Sequence, residues 1–421
     1  MNRVLVIGGG ASGMLAALIA SRNGADTTIL EKNEKLGKKI YITGKGRCNL
    51  TNACDKDTFF ENVVSNPKFL YSAYSAFDNV GIVKLLEEGG LKCKKERGGR
   101  IFPVSDHASD VTAALKKLLD KEKVKIRFNS EVAEILTKAP ASKDDESKEI
   151  CGVKLTSGET IEAEKIIVCT GGLSYPSTGS TGFGLKEARR LGLSVTDTSP
   201  ALVPFNIRDD FAIELQGLAL KNVAVRVVDS KNKCLYTGFG EMLFTHFGVS
   251  GPLMITASSH VIKEIAKKPL TVRIDLKPAI DAETIDKRLV NLFAANKNKH
   301  YKSVLKELLP HSMIPCFARI SGIDGDRPVN EITKTERDGI VVLLKSFPVT
   351  LTSIRGYDEA VITQGGVSVK EINPKTMESK RIKGLFFAGE VLDLDAHTGG
   401  FNLQIAWSTG YVAGYSAAQQ M

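Results

Sequence analysis

Long apolar runs are missing from this 421-residue chain, and no uninterrupted hydrophobic segment reaches the roughly 18 to 20 residues that a bilayer span needs. Cysteine is sparse and scattered: the seven residues, Cys48, Cys54, Cys93, Cys151, Cys169, Cys234 and Cys316, are odd in number and show neither C-x-x-C nor Cys/His ligand spacing. That argues against a structural zinc or other metal site and for a reducing, cytoplasmic setting. Aromatic residues make up only 7%, and no basic block is interleaved with them. The net charge of +9 is therefore read as a solvated surface plus an anionic ligand, with no nucleic-acid partner expected. There is no internal repeat and no low-complexity tract. With 43% hydrophobic residues the chain can bury a large core in two or three domains.

Glycine is what the chain has in the right places. An apolar run, Val4 to Ile7, enters G-x-G-x-x-G at Gly8, Gly10 and Gly13 and continues into an Ala/Leu-rich segment to Ala20. This predicts strand, tight turn and helix, with the glycines letting the backbone approach a pyrophosphate at the positive end of the helix. A second strand, 27–30, ends at Glu31, an acid about 20 residues on that can accept ribose hydroxyls. The same glycines interrupt the apolar core that a secretory leader requires. The polar stretch 36–52 follows and reads as a long loop whose Lys38, Lys39, Lys45 and Arg47 can add charge-assisted hydrogen bonds to phosphate.

Beyond it, helices are expected near 68–77, 80–88 and 109–121, and strands at 125–128, 132–136, 152–155 and 160–163. The charged stretch 139–148 reads as a hairpin tip or a disordered excursion. Lys165-Ile-Ile-Val-Cys-Thr-Gly-Gly172 is a buried strand returning Thr170, Gly171 and Gly172 to the nucleotide site. From about Leu193 the pattern changes to alternating strands (223–228, 234–237, 270–274) and helices (282–293, 301–309, 335–347), an insertion between two halves of the nucleotide domain. The C-terminal part resumes with a buried strand, 383–389, and a helix over 401–417. Its Gly389, Glu390 and the N–H groups around Gly400 to Leu403 suit a flavin better than a simple NAD site, so both chain ends build one FAD site. No second G-x-G-x-x-G opens another βαβ unit; NAD(P)H, if used, docks transiently.

At this point the motifs resemble a family. Gly8 to Gly13, the Lys39-Ile-Tyr-Ile-Thr-Gly-Lys-Gly-Arg-Cys-Asn-Leu-Thr-Asn52 block, Gly99-Arg-Ile-Phe-Pro103, Gly171-Gly-Leu-Ser-Tyr-Pro176, Phe244-Thr-His-Phe-Gly-Val-Ser-Gly-Pro252, Gly389-Glu-Val-Leu-Asp393 and Thr398-Gly-Gly-Phe-Asn402 are similar to those of the bacterial flavoproteins grouped with aminoacetone oxidase and bile-acid 3-dehydro-Δ4,6-reductase. The resemblance covers nearly the whole chain. It implies an α/β fold with a discontinuous Rossmann-like FAD-binding domain (1–192 and 363–421), an inserted β-barrel (193–280 and 346–362) and a small helical domain (281–345). It implies noncovalent FAD, with contacts from Gly8, Gly10, Ala11, Ser12, Gly13, Glu31, Lys32, Lys39, Lys45, Arg47, Cys48, Asn49, Val132, Thr170, Gly171, Gly172, Gly389, Glu390, Gly400, Phe401, Asn402 and Leu403. Ala396 and Phe401 depart from the family's frequent Gly and Tyr, which leaves the cofactor in place and alters the substrate face.

The first expectation is NAD(P)H-dependent reduction of an activated C=C bond in a small molecule, a steroid or bile-acid enone, by hydride from the flavin. Tyr175 and His397, each beside a glycine turn, are the candidate proton donors; His246 ranks below them, and Cys48 reads as a cofactor contact. Two alternatives stand beside it: a flavin oxidase of a small amine such as aminoacetone, and a non-catalytic nucleotide- or RNA-associated protein.

Overall fold

A computed structural model describes residues 2–139 and 148–419. Most of the stretch 139–148 lies outside them; flanking strands end at Lys138 and resume at Lys148. The chain divides into two compact units, one made of Met1–Pro200 and Tyr357–Met421, the other of Ala201–Gly356.

The first unit is built on a five-stranded parallel sheet. From one edge its strands are Leu385–Phe387, Lys165–Val168, β1 (Arg3–Ile7), β2 (Asp26–Leu30) and Lys125–Arg127. Val4 and Val6 are fully buried and Leu5 and Ile7 nearly so, the continuous apolar signature of a strand covered on both faces. Full burial of such a side chain contributes about 1.5–3 kcal/mol. The helix after β1, α1 (Ala11–Arg22), packs against the C-terminal helix Phe401–Ala418. Their backbones nearly touch: a Cβ on Gly410 would lie 2.6 Å from the Ser12 carbonyl oxygen, and one on Gly414 would lie 2.2 Å from that of Ala16. Two glycines one turn apart thus fasten the chain's last helix to its first.

The stretch expected as a long loop after Glu31 is more ordered than its polarity suggests. Gly37 adopts φ 68°, a left-handed start for a short helix, Lys38–Ile42, which buries Ile40. A small antiparallel sheet then forms from Thr51–Asn52, Arg100–Pro103 and Cys93–Lys95, with Arg100–Pro103 in the middle. A further sheet joins Val132–Lys138, Lys148–Leu155 and Thr160–Glu162 in antiparallel fashion.

The second unit contains a closed six-stranded antiparallel barrel: Phe205–Ile207, Gly248–Ser250, Cys234–Thr245, Ala219–Val228, Leu270–Asp275 and Phe347–Ile354, which pairs back to the first. Alternate residues Val225, Val227, Val272, Ile274, Phe347, Val349 and Leu351 are buried, as the period-2 pattern requires. Helices Ala282–Ala295, Ile314–Ser321 and Lys334–Lys345 share this core through Leu289, Phe317 and Leu344. Thr333 and Glu336 close the last helix's N-terminus with a reciprocal capping box.

Candidate functional site

The glycine turn between β1 and α1 lies at the carboxyl end of the parallel sheet, where open α/β sheets place their ligands. Gly8 has φ 101° and donates its N–H to Leu30 O at 2.9 Å; a Cβ there would sit 2.6 Å from Cys169 O. Gly13 is tighter still, since its Cβ would meet the Gly8 carbonyl oxygen at 1.9 Å. Gly10 differs from both. Its backbone is extended, with φ −79°, and a Cβ there would meet nothing within 4 Å, so the protein alone does not demand glycine at this position. An open cradle at the start of α1, which carries no acid in its first turn and no side-chain cap, leaves N–H groups available to an anion.

Glu31, 7% exposed, stands beside this turn. Its Oε2 accepts from Gly9 N at 2.7 Å, while Oε1 accepts from Asn33 N at 2.8 Å and Asn33 Nδ2 at 2.7 Å. The carboxylate is fixed in orientation and retains lone pairs for ribose hydroxyls. Lys32 Nζ donates to Thr181 Oγ1 at 2.9 Å, and Val132 is a buried residue opening its strand.

The two chain ends meet at Gly389, whose φ is 80° and whose Cβ would lie 2.5 Å from Ser12 Oγ. The next residue, Glu390, anchors a polar cluster. Lys39 Nζ bonds Glu390 Oε2 at 2.5 Å and Ser174 Oγ at 2.5 Å; Ser174 Oγ donates to Glu390 Oε1 at 2.5 Å, and Thr363 N donates to the same oxygen at 2.9 Å. Ser174 lay inside the Gly171–Pro176 motif without being singled out, and Thr363 lay in none of the motifs. Gly171 takes φ 70°, and a Cβ on Gly172 would strike Thr363 Oγ1 at 2.4 Å.

Other expected site residues fall into distinct groups. Asn49 Oδ1 and Thr170 Oγ1 are buried and, among the described residues, have no hydrogen-bond partner, open acceptor positions of the kind a bound cofactor fills. Cys48 is fully buried with φ 60°, and burial pushes its thiol up to about 12, so it stays protonated. Arg47 is held by Glu96 and Asp106, whereas Lys45 is exposed. Asn402 closes its own turn, with Oδ1 accepting from Ala396 N at 2.8 Å and Nδ2 donating to Ala396 O at 2.7 Å. Gly400 has φ 98° and presses on strand Thr51–Asn52, where a Cβ would lie 2.5 Å from Thr51 O. Phe401 is 5% exposed, and Leu403 is half-buried in the helix that Gly400 opens.

Of the two proton-donor candidates, Tyr175 is half-buried with φ 50°, and its N–H donates to Tyr357 O at 3.0 Å. His397 donates its N–H to Asn62 O at 2.9 Å and sets Nδ1 3.3 Å from Asn62 Oδ1. They occupy the loops leaving adjacent parallel strands, Lys165–Val168 and Leu385–Phe387. His246 is exposed on a barrel turn of the second unit. Asp395 was missed by sequence reasoning. It is fully buried, its Oδ1 has no partner among the described residues, its Oδ2 accepts from Gln364 Nε2 at 3.1 Å, and burial raises its pKa. An acid between Leu394 and Ala396 in an apolar stretch was the available signal.

A parallel sheet whose first glycine turn, buried acid after the second strand and returning C-terminal helix converge on one edge defines the class: a FAD-dependent oxidoreductase of Rossmann type. More narrowly, the chain belongs to the family described as HI0933-like protein Rossmann domain, which matches residues 2–416. It is 31% identical to a 3-dehydro-bile acid delta(4,6)-reductase of Clostridium scindens, over 100% of both chains. It is also 31% identical to a ribosomal RNA dihydrouridine synthase of Haemophilus influenzae, over 99% of this chain and 98% of that one. In fold it is similar to the 3-ketosteroid-delta4-(5alpha)-dehydrogenase of Rhodococcus jostii, with TM-score 0.55, 15% identity and coverage of 100% and 97% of the two chains. Among the described residues no helix is long and apolar enough to cross a membrane.

Proposed function

We propose that this enzyme reduces a C=C bond conjugated to a carbonyl, taking its electrons from NAD(P)H. The observation that supports this reading is the pairing of the two-ended FAD site with two full-length relatives whose names describe reductions of that kind. A Δ4,6-dienone and the C5=C6 bond of uracil are both alkenes polarised by a carbonyl. Bound FAD supplies the hydride, which NAD(P)H replenishes; overall, one hydride and one proton add across the double bond.

The chain's own residues divide the remaining work. The 8–13 turn and the N-terminus of α1 take the pyrophosphate, and Glu31 takes the ribose. Asn49 Oδ1 and Thr170 Oγ1 would accept from the cofactor, and the Lys39–Ser174–Glu390 cluster would offer hydrogen bonds to its hydroxyls. The helix N-terminus at Gly400 to Leu403 would offer its N–H groups and positive dipole end to the flavin and would favour a negatively charged form of it. Tyr175 or His397 delivers the proton to the carbon next to the carbonyl.

The small-molecule substrate of this reading is a 3-oxo-Δ4 steroid or bile acid. A uracil ring in RNA is the second, supported by the exposed cations beside the flavin turn and by the name of the Haemophilus influenzae relative. Anaerobic stopped-flow absorbance tests both. NADH or NADPH should bleach the flavin band near ~450 nm, and an enone steroid or a uridine-containing RNA should restore it faster than buffer alone. Bleaching by aminoacetone with recovery only in air would overturn the reductase reading and install the oxidase.

A further inference from the structure

We infer that the β-hairpin of residues 92–103 is a docking surface for the phosphodiester backbone of RNA, holding a strand at the rim of the flavin turn. The inference rests on the proposed reduction, because a uracil in that strand would be the carbonyl-conjugated alkene.

The hairpin is unusually cationic. Residues 92–100 carry Lys92, Lys94, Lys95, Arg97 and Arg100 against one carboxylate, Glu96. Two strands, Cys93–Lys95 and Arg100–Pro103, pair antiparallel, and the chain reverses through Gly98 and Gly99 at φ 76° and 75°. One set of charges here is already balanced. Glu96 and Asp106 together hold Arg47 and Lys94, with Arg47 Nε donating to Asp106 Oδ1 at 2.7 Å and Lys94 Nζ to Asp106 Oδ2 at 2.6 Å.

The remaining cations are not balanced. Lys92, Lys95, Arg97 and Arg100 are exposed, and among the described residues none has a carboxylate within ion-pair distance; Lys45, on the adjacent Gly44-Lys-Gly46 turn, is the same. Some surface cations of this unit pair, as in Lys116–Asp120, Lys125–Asp26 and Arg127–Glu159, and others, among them Lys117, Lys123 and Lys186, do not among the described residues; what sets the hairpin apart is that its unpaired cations, Lys92, Lys95, Arg97 and Arg100, crowd into one short segment. Arg100 Nε donates to Arg97 O at 3.1 Å, and its guanidinium lies 5.8 Å from the Phe102 ring centroid. Its backbone-anchored plane is one on which an unpaired base can stack.

Location gives the patch its purpose. Asn52 Nδ2 donates both to Gly98 O at 2.9 Å, in the hairpin turn, and to Gly399 O at 3.1 Å, in the turn that opens the C-terminal helix. One side chain therefore ties the tip of the cationic hairpin to the flavin turn. A steroid requires no such row of cations, whereas a polyanion gains affinity by releasing counterions at each phosphate neutralised.

The test uses the full-length FAD-loaded protein and a fluorescein-labelled, single-stranded, uridine-containing RNA of about 20 nucleotides, read by anisotropy across a salt series. The combined variant Lys92→Gln, Lys95→Gln, Arg97→Gln should bind at least about tenfold more weakly and lose about 2 from the slope of log K against log salt, at ~0.7 per phosphate on a single strand. Its flavin should still bleach with NAD(P)H at the wild-type rate. Lys92→Arg, Lys95→Arg, Arg97→Lys should restore binding. The surface reading fails if the neutralised variant keeps wild-type affinity and slope. It fails equally if Lys231→Gln, Lys233→Gln, Lys268→Gln in the barrel loses as much, or if the wild type prefers phosphatidylglycerol vesicles to RNA. The two readings separate cleanly: hairpin-dependent RNA binding without reduction of a uracil or enone keeps the surface and removes the reaction, while enone reduction without RNA binding does the reverse.

Discussion

Replacing Gly13 by alanine would put a methyl carbon 1.9 Å from the carbonyl oxygen of Gly8. Ordinary non-bonded contact lies near ~3.5 Å, so the turn would have to move by more than 1 Å, roughly speaking. Gly8 cannot yield easily: its N–H is bonded to Leu30 O at 2.9 Å, and its own Cβ position lies 2.6 Å from Cys169 O. Overpacking costs about 1–3 kcal/mol, and an obstacle made of main chain from neighbouring strands puts Gly13→Ala near the upper end. At about 2–4 °C per kcal/mol for a domain of this general size, the apo protein should melt roughly 6–12 °C lower. Gly10→Ala is the informative contrast. With φ −79° and nothing within 4 Å of the added carbon, it should leave the apo melting temperature within about 1 °C. Its methyl would instead occupy the approach to the N–H groups of the turn. Losing one charge-assisted hydrogen bond there, about 1.5–3 kcal/mol, should weaken FAD binding about 10- to 150-fold. Scanning calorimetry of the apo protein and fluorescence titration with FAD read the two effects separately. Wild-type FAD affinity in Gly10→Ala would remove the pyrophosphate from this turn, and wild-type melting of Gly13→Ala would refute the steric account.

Lys39→Met should destabilise the protein by about 1–3 kcal/mol, less than a fully buried pair because the partners' side chains are 23% and 13% exposed. Combined with Glu390→Gln it should show a coupling above ~0.5 kcal/mol in urea midpoints, and additive losses would mean the pair does not act as a unit. The buried carboxyl of Asp395, whose pKa is raised by burial, should make the folded state lose stability as pH rises from the unfolded carboxylate range through its raised pKa. Asp395→Asn removes that ionisation, so its melting temperature should hold steadier than wild type between about pH 4 and 8; parallel pH profiles for the two would show that Asp395 is not the titrating group.

The strand, turn and helix of the nucleotide motif were legible because each is a local decision. Apolar continuity in Val4 to Ile7, the glycine spacing of the turn and an acid closing the second strand are all patterns within a few residues. The buried return of Lys165 to Gly172 and the helix opening at Phe401 were legible for the same reason. The 36–52 stretch was not, since its polarity hid Ile40, the single residue whose burial turns part of the loop into a helix.

Charge partners lay beyond sequence reasoning altogether. Nothing local distinguishes Lys39, which meets Glu390 across the sheet's edge, from Arg47, which Glu96 and Asp106 neutralise, or from Lys45 and Arg97, which keep their charge exposed. The amino-acid sequence by itself determined where the glycine turns and their flanking strands and helices fall, because backbone conformation and apolar periodicity are short-range properties. Only tertiary structure decided which cations are spent on carboxylates, that Asp395 is buried, and that Gly410 and Gly414 bring the last helix onto the first. Those outcomes depend on what residues distant in the sequence place beside each group.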